Sequence, residues 1–319
     1  MDEELARADL LGLGSPRYTA VELSEKTGIS VDDAKRIWRA LGFVVRPVDE
    51  VYFTDQDLEV LQRLADFMSS GIASIDVIVN MTRTLGQSVA RVAEAEAEAM
   101  RDRVRMEGAA ISPEEAAQIL PAVLPSLELF LTHAWHRHLD AALNRVQVLD
   151  PDAADEVMVI GFADLVGFTR LSLELDEAEL SRVVEELETR AQDIISTHGG
   201  RVVKMIGDEV MFATRDPKAG AKIALELARQ EMHDPPVTLR GGLAYGPALS
   251  QRGDFFGPVV NLARRAASAA RPHSVLITDE FRHELADDPN FSIKPIPPRR
   301  LKGIGTVKLW VLRDATAGS

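Results

Sequence analysis

Residues 157–169 read VMVIGFADLVGFT. The apolar run 157–163 has the length and composition of a buried strand, and Asp164 stands at its end. A carboxylate closing a core strand, with a glycine turn after it, is an unusual choice for stability alone. It is well placed to hold a hard cation such as Mg²⁺ near phosphates. The backbone of 165–169 turns toward a helix and offers amide donors to a phosphate.

The neighbouring segments extend this pattern. Leu180, Val183, Val184, Leu187, Ala191, Ile194 and Ile195 fall on one helical face, predicting an amphipathic helix packed on a sheet and stopped by Gly199-Gly200. RVVKMIGDEVMFAT (201–214) then places two apolar runs around Gly207-Asp208, a two-residue hairpin turn. Asp208 alone reads as a turn former, but Asp164 offers a second acidic strand end and a Mg²⁺ pair needs carboxylates from separate elements, which favours a metal role. In RGDFFGPVVNLARRAASAA (252–270), Asn261 and Arg265 are four apart on one helical face. An amide and a guanidinium there suit a sugar and a phosphate, although such a pair is ordinary on any helix surface.

Together and in this order, FADLVGFT, KMIGDEVMF and GDFFGPVVNLARR resemble the class III adenylyl/guanylyl cyclase catalytic domain. The resemblance covers residues 157 to 313, about half the chain. It implies an α/β ferredoxin-like fold working as a head-to-tail homodimer. Asp164 and Asp208 would bind two Mg²⁺ or Mn²⁺ ions, and Lys204 and Asp254 would read the base. Asn261 would position the ribose, Arg265 would stabilise charge on the α-phosphate, and Lys302 would contact the terminal phosphates. In this family the aspartates that bind metal come from one chain, and the base-reading pair with Asn261 and Arg265 from the other. The implied reaction takes ATP to 3′,5′-cyclic AMP and pyrophosphate. Pro258, after Gly257, is a mild departure and fits the first position of a helix.

Adenine as the base follows from donor and acceptor types. Its N1 accepts and its 6-amino group donates, which complements a lysine and an ionised aspartate. Guanine reverses both and leaves buried polar groups facing like groups, at about 1–3 kcal/mol or more per mismatch.

The 319 residues predict about two domains. Residues 1–150 read as helical, 151–156 (PDAADE) as a linker, and 157–319 as the catalytic domain. Within 18–64, short helices around Gly28, Ser30 and Gly42, then an extended piece FVVRPVDEVYF, resemble a winged helix-turn-helix as in the MerR family. Six Lys/Arg against nine Asp/Glu give this segment a net charge of 6 − 9 = −3, and the whole chain carries 36 − 50 = −14. That balance argues against DNA as a partner. A helical half ahead of such a catalytic domain resembles the mycobacterial and actinobacterial adenylyl cyclases with an autoinhibitory N-terminal domain. His133, His136 and His138 stand shortly before the linker, and histidine titrates near neutrality, so a pH-responsive regulatory role is expected there.

The chain has no cysteine, which excludes disulfides, thiolate zinc sites and a cysteine nucleophile. The most apolar stretch, 120–131, is broken by Pro121, Pro125 and Glu128 and is too short to span a bilayer. The acidic N-terminus is unlike a signal peptide, so the expected compartment is the cytoplasm. Two rival readings remain. One is a diguanylate cyclase, although IGDEV is not its GG(D/E)EF turn. The other is a DNA-binding helix-turn-helix regulator with an inactive, nucleotide-sensing cyclase fold.

Overall fold

A computed structural model describes residues 11–107, 113–145, 156–232 and 237–315. The chain divides into two compact units, 1–148 and 149–319. The expected linker 151–156 lies outside the described residues except for Glu156, which opens the first strand.

The described first unit is helical: α1 (Ala20–Thr27), α2 (Val31–Leu41), α3 (Asp55–Ser69), α4 (Ile75–Glu107) and α5 (Pro113–Arg145). Local chemistry sets the ends. Thr19 and Thr54 form capping boxes with Glu22 and Asp57, and the Ser30 side chain accepts the Asp33 amide. Gly28 and Gly42 close α1 and α2 in the left-handed conformation. Leu23, Ile29, Ile37, Ala40, Leu61, Ile78 and Val79 form the core of this bundle. The expected extended wing is reduced to one bridge, Tyr18 to Phe53. Its aromatic residues instead gather round Trp38, which meets Phe43, Tyr52 and Phe53. Pro47 interrupts this stretch and has no N–H to give a ladder. Pro121 and Pro125 lie inside α5.

The second unit is a mixed sheet with helices on both faces. Its first part runs β1 (Glu156–Leu165), α6 (Phe168–Glu174), α7 (Glu177–Thr197), β2 (Arg201–Ile206), β3 (Glu209–Thr214), α8 (Pro217–Arg229), β4 (Glu231–Met232) and β5 (Val237–Gln251). After it come β6 (Asp254–Phe256), α9 (Pro258–Ala269), β7 (Val275–Thr278), α10 (Asp279–Glu284), β8 (Phe291–Pro295), β9 (Arg299–Leu301), β10 (Gly305–Val307) and β11 (Leu309–Asp314). The strand order is β2-β3-β1-β5-β7-β11-β8, with β4 and β6 on β5 and a separate β9–β10 hairpin. The first four strands of that order, joined through α7 and α8, make the interlocked βαβ units of a ferredoxin-like sandwich.

β1 is buried on both faces, and its alternation assigns each side chain. Val159, Ala163 and Leu165 enter the core with Val183, Leu187 and Ile195 of α7. Met158, Ile160 and Phe162 enter the other core with Val259, Ala263 and Ala267 of α9. Asp164 falls in the second set, on the α9 face. Helix α9 comes unusually close to β5. A Cβ at Gly242 would lie 2.1 Å from the Ala267 nitrogen and 2.5 Å from the Ala263 oxygen. Gly242 therefore sets the depth of the helix that carries Asn261 and Arg265.

Gly242→Ala should push α9 outward. The expected loss is about 1–3 kcal/mol of stability, as for an overpacked core, together with a fall in enzymatic rate. Thermal melts and turnover assays check both, and an alanine variant as stable as the parent would contradict the packing account.

Candidate active site

Three strands bring three charged residues into one row. Asp164 of β1 is opposite Glu209 of β3 and opposite Arg240 of β5. Residues in register on neighbouring strands point to the same face, here the α9 face. Arg240 donates to Asp164 Oδ2 through Nε at 2.8 Å and Nη2 at 2.5 Å, and its Nη1 donates to the Ser268 carbonyl on α9 at 3.0 Å. On the other side, Arg264 of α9 donates from Nε to Glu209 Oε2 at 2.8 Å. Glu209 is almost wholly buried, its side chain 7% exposed, while that of Arg264 is 50% exposed.

Asp208 stands in the Gly207-Asp208 turn joining β2 to β3. Gly207 has φ 63°, a conformation that favours glycine. The Leu165 amide donates to the Asp208 carbonyl at 3.1 Å, tying the turn to the end of β1. Asp208 immediately precedes Glu209, the register partner of Asp164, so the turn stands beside the Asp164 end of β1. Burial, and then repulsion from Asp164, push the Asp208 carboxyl above its ordinary range. Burial also raises Glu209, with the Arg264 guanidinium opposing it.

Lys204 of β2 is ion-paired with Asp254 of β6. Asp254 also accepts the Phe255 amide at 2.8 Å, and Arg201 lies over the Phe255 ring while donating to the Gly253 carbonyl. Asn261 and Arg265 are exposed on α9, whose opposite face buries Val259, Ala263, Ala266 and Ala267. Arg264 reaches back to Glu209; among the described residues, Arg265 has no ion-pair partner. Lys302 is exposed in the turn after β9, beside buried Leu301, which packs with Ala266 of α9 and Ala270 just past its end.

The structure thus gathers Asp164 with Asp208, Lys204 with Asp254, and Asn261 with Arg265. It reveals three further polar members: Arg240, Glu209 and Arg264. The sequence reading missed all three; a charged residue within apolar strands could have flagged Glu209 and Arg240, but only register joins them. His133, His136 and His138 are exposed on α5, where the Trp135 and His136 rings are 4.9 Å apart.

Residues 149–314 match the adenylate and guanylate cyclase catalytic domain, and residues 2–143 match the adenylate cyclase regulatory domain. The chain belongs to the adenylate and guanylate cyclase family. It is 34% identical to an adenylate cyclase of Streptomyces coelicolor (strain ATCC BAA-471 / A3(2) / M145), across 98% of this chain and 91% of that protein. A pH-sensitive adenylate cyclase of Mycobacterium tuberculosis (strain CDC 1551 / Oshkosh) is 33% identical, across 98% and 82% respectively. The crystal structure of the adenylyl cyclase CyaB from P. aeruginosa aligns with a TM-score of 0.43 at 23% identity, covering 50% of this chain and 95% of that one.

The residues of this family member fit divalent cations. Two carboxylates that repel one another in a partly buried corner form an oxygen donor set that a cation would relieve. Among the described residues, no third His, Asp or Glu joins them to close a site made of protein alone. Phosphate oxygens of a substrate would complete such a set. Among the described residues, no helix is long and apolar enough to cross a membrane.

A raised carboxyl holds its proton more tightly in the folded than in the unfolded state. Stability therefore falls as pH rises from the unfolded carboxylate range through the raised folded one. Asp208→Asn should melt at a higher temperature than the parent at neutral pH in a chelator, while losing activity. The difference should vanish below about pH 4. A lower melting temperature at neutral pH would refute the repulsion account.

Proposed function

We propose that this chain is an adenylate cyclase whose active site is completed by a second copy of itself. The observation that carries this reading is the division of polar groups within one chain. Asp164 and the Asp208 turn stand side by side, whereas Arg265 is exposed on α9, one turn from Asn261 and without an ion-pair partner among the described residues. Relatives named adenylate cyclase, similar over nearly the whole chain, support the choice of reaction. Exposed apolar surface on the β5–β6 hairpin supports a partner: Leu249 and Phe256 are cross-strand neighbours, 49% and 47% exposed.

Asp164 and Asp208 would hold two Mg²⁺ or Mn²⁺ ions, which would supply Lewis acidity toward the ribose 3′-hydroxyl and positive charge toward the phosphates. Every other task falls to side chains. Lys204 donates to adenine N1, and Asp254 accepts from the 6-amino group. Their mutual ion pair keeps both ready and opens to admit the base. Asn261 holds the ribose. The 3′-oxygen attacks the α-phosphorus in line; the bond to the bridging oxygen of the β-phosphate breaks, and pyrophosphate leaves. The hydroxyl proton passes to water or to a substrate phosphate. Arg265 stabilises the charge that builds on the α-phosphate, and Lys302 holds the terminal phosphates. The aspartates of one chain act with Lys204, Asp254, Asn261 and Arg265 of the other, which gives a symmetric dimer two equivalent sites.

The helical unit regulates this reaction in response to pH through His133, His136 and His138. Support comes from their exposure on α5 and from the relative named pH-sensitive. Glu128, Arg137 and Asp140 are the charged groups nearest them along that helix. A DNA-binding role finds no such support: Arg17, Arg36 and Arg63 of this unit are each engaged by a carboxylate.

Purified Asp208→Ala and Arg265→Ala proteins should each form almost no cyclic AMP from ATP with manganese. When they are mixed, heterodimers rebuild one intact site, and activity should return to about a quarter of the parent's, since half the dimers are mixed and each has one working site. No recovery would sink the shared site, and failure of the parent to make cyclic AMP would sink the reaction. Replacing His133, His136 and His138 by Gln should flatten the pH–activity profile between about pH 5 and 8; an unchanged profile would remove those residues from regulation.

A further inference from the structure

Glu209 and Arg264 have no task in the reaction as described. Glu209 follows Asp208 directly, yet its side chain is buried and turned to the α9 face, away from water. Arg264 precedes Arg265 directly, yet its half-exposed side chain reaches back to Glu209, with Nε donating at 2.8 Å. Their ion pair is therefore a direct polar tie between the hairpin bearing Asp208 and Lys204 and the helix bearing Asn261 and Arg265. A buried acid next to two other carboxylates is costly for folding alone, because its charge needs a partner where water is excluded. Placing an apolar residue at 209 would avoid that cost.

We propose that Glu209 and Arg264 are positioning residues whose ion pair fixes the rotation of α9 against the β2–β3 hairpin and so aims Arg265 at the reacting phosphate. Three observations converge on this role. The pair joins two elements that both carry reaction chemistry. Gly242 leaves α9 lying backbone-close on β5, so the depth of the helix is set by packing while its rotation still needs a polar anchor. Arg240 supplies a second anchor nearby, linking Asp164 to the Ser268 carbonyl at the last turn of the same helix. On consecutive residues of a helix the side chains diverge by about 100°, so tying Arg264 to Glu209 fixes the direction in which Arg265 leaves the helix.

This inference rests on the shared-site cyclase reading and has a consequence specific to it. In such a dimer the Asp208 turn of the hairpin serves one site, while α9 of the same chain, with Lys204, serves the other. The strut inside each chain therefore braces both sites.

The test uses full-length Glu209→Gln, Arg264→Gln, the double variant and Arg264→Lys, assayed with manganese and ATP. Each Gln variant should lower kcat about 10- to 100-fold, as expected for a misaimed group, with KM changed by less than about 3-fold. The double variant should be no worse than the poorer single variant, because both remove one interaction. Arg264→Lys should recover part of the loss. Arg229→Gln, which breaks an exposed ion pair with Asp314 in the same unit, should leave kcat unchanged. An unchanged kcat in either Gln variant, or losses that multiply in the double, would overturn the strut.

A second arm separates positioning from direct contact with substrate. Arg264→Gln is placed on one subunit at a time in the mixed Asp208→Ala and Arg265→Ala dimer. A strut makes both placements harmful, because the working site takes its helix from one subunit and its Asp208 turn from the other. Loss only when the change sits on the helix-donating subunit would make Arg264 a substrate contact instead. If the mixed dimer without Arg264→Gln is inactive, the shared site itself has failed, and the strut is then judged by the kcat and KM values of the uniform variants.

Discussion

The row of Glu209, Asp164 and Arg240 across three neighbouring strands is the interaction on which the site depends. Strand register alone sets these side chains side by side on the face covered by α9. In such a corner a like-charged pair is costly and an opposite-charged pair is strong, because water screens neither fully. The fold answers with two arginines. Arg240 holds one carboxylate oxygen of Asp164, and Arg264 holds Glu209. Asp208, in the adjoining turn, meets repulsion from Asp164 that Arg240 only partly offsets. That residual frustration is what makes the corner a place for cations.

Helix α9 connects this corner to the remaining chemistry. Its buried face is made of valine and alanine, so it approaches β5 closely, and Gly242 removes the one side chain that would prevent it. Its outer face carries Asn261 and Arg265 toward solvent. Close packing converts small errors at the helix into displacement of the guanidinium, because the backbone has no slack to absorb them. The polar ties from Arg240 and Arg264 therefore act on an element whose depth is already determined.

Much of the fold was legible along the chain. The apolar period of 180–195 marked α7, and Gly207-Asp208 marked the turn between β2 and β3. Ser30 marked a helix start because a side-chain oxygen beside free amides acts over three residues only. The wing after α2 was not legible. The alternation of FVVRPVDEVYF suited a strand, but its rings found better burial against Trp38 than a ladder interrupted by Pro47 would have provided.

The sequence by itself determined the local pieces and the chemical types: the carboxylates at strand and turn, the amide and guanidinium four apart on a helix, the acidic balance and the family to which the motifs belong. These depend on neighbours in the chain, and short-range physics reads them. Tertiary structure alone decided which carboxylate meets which arginine. Asp164 and Arg240 are 76 residues apart and Glu209 and Arg264 are 55 apart. Such partners are chosen by strand register and by the depth at which one helix packs, and neither is written in any local window of the chain.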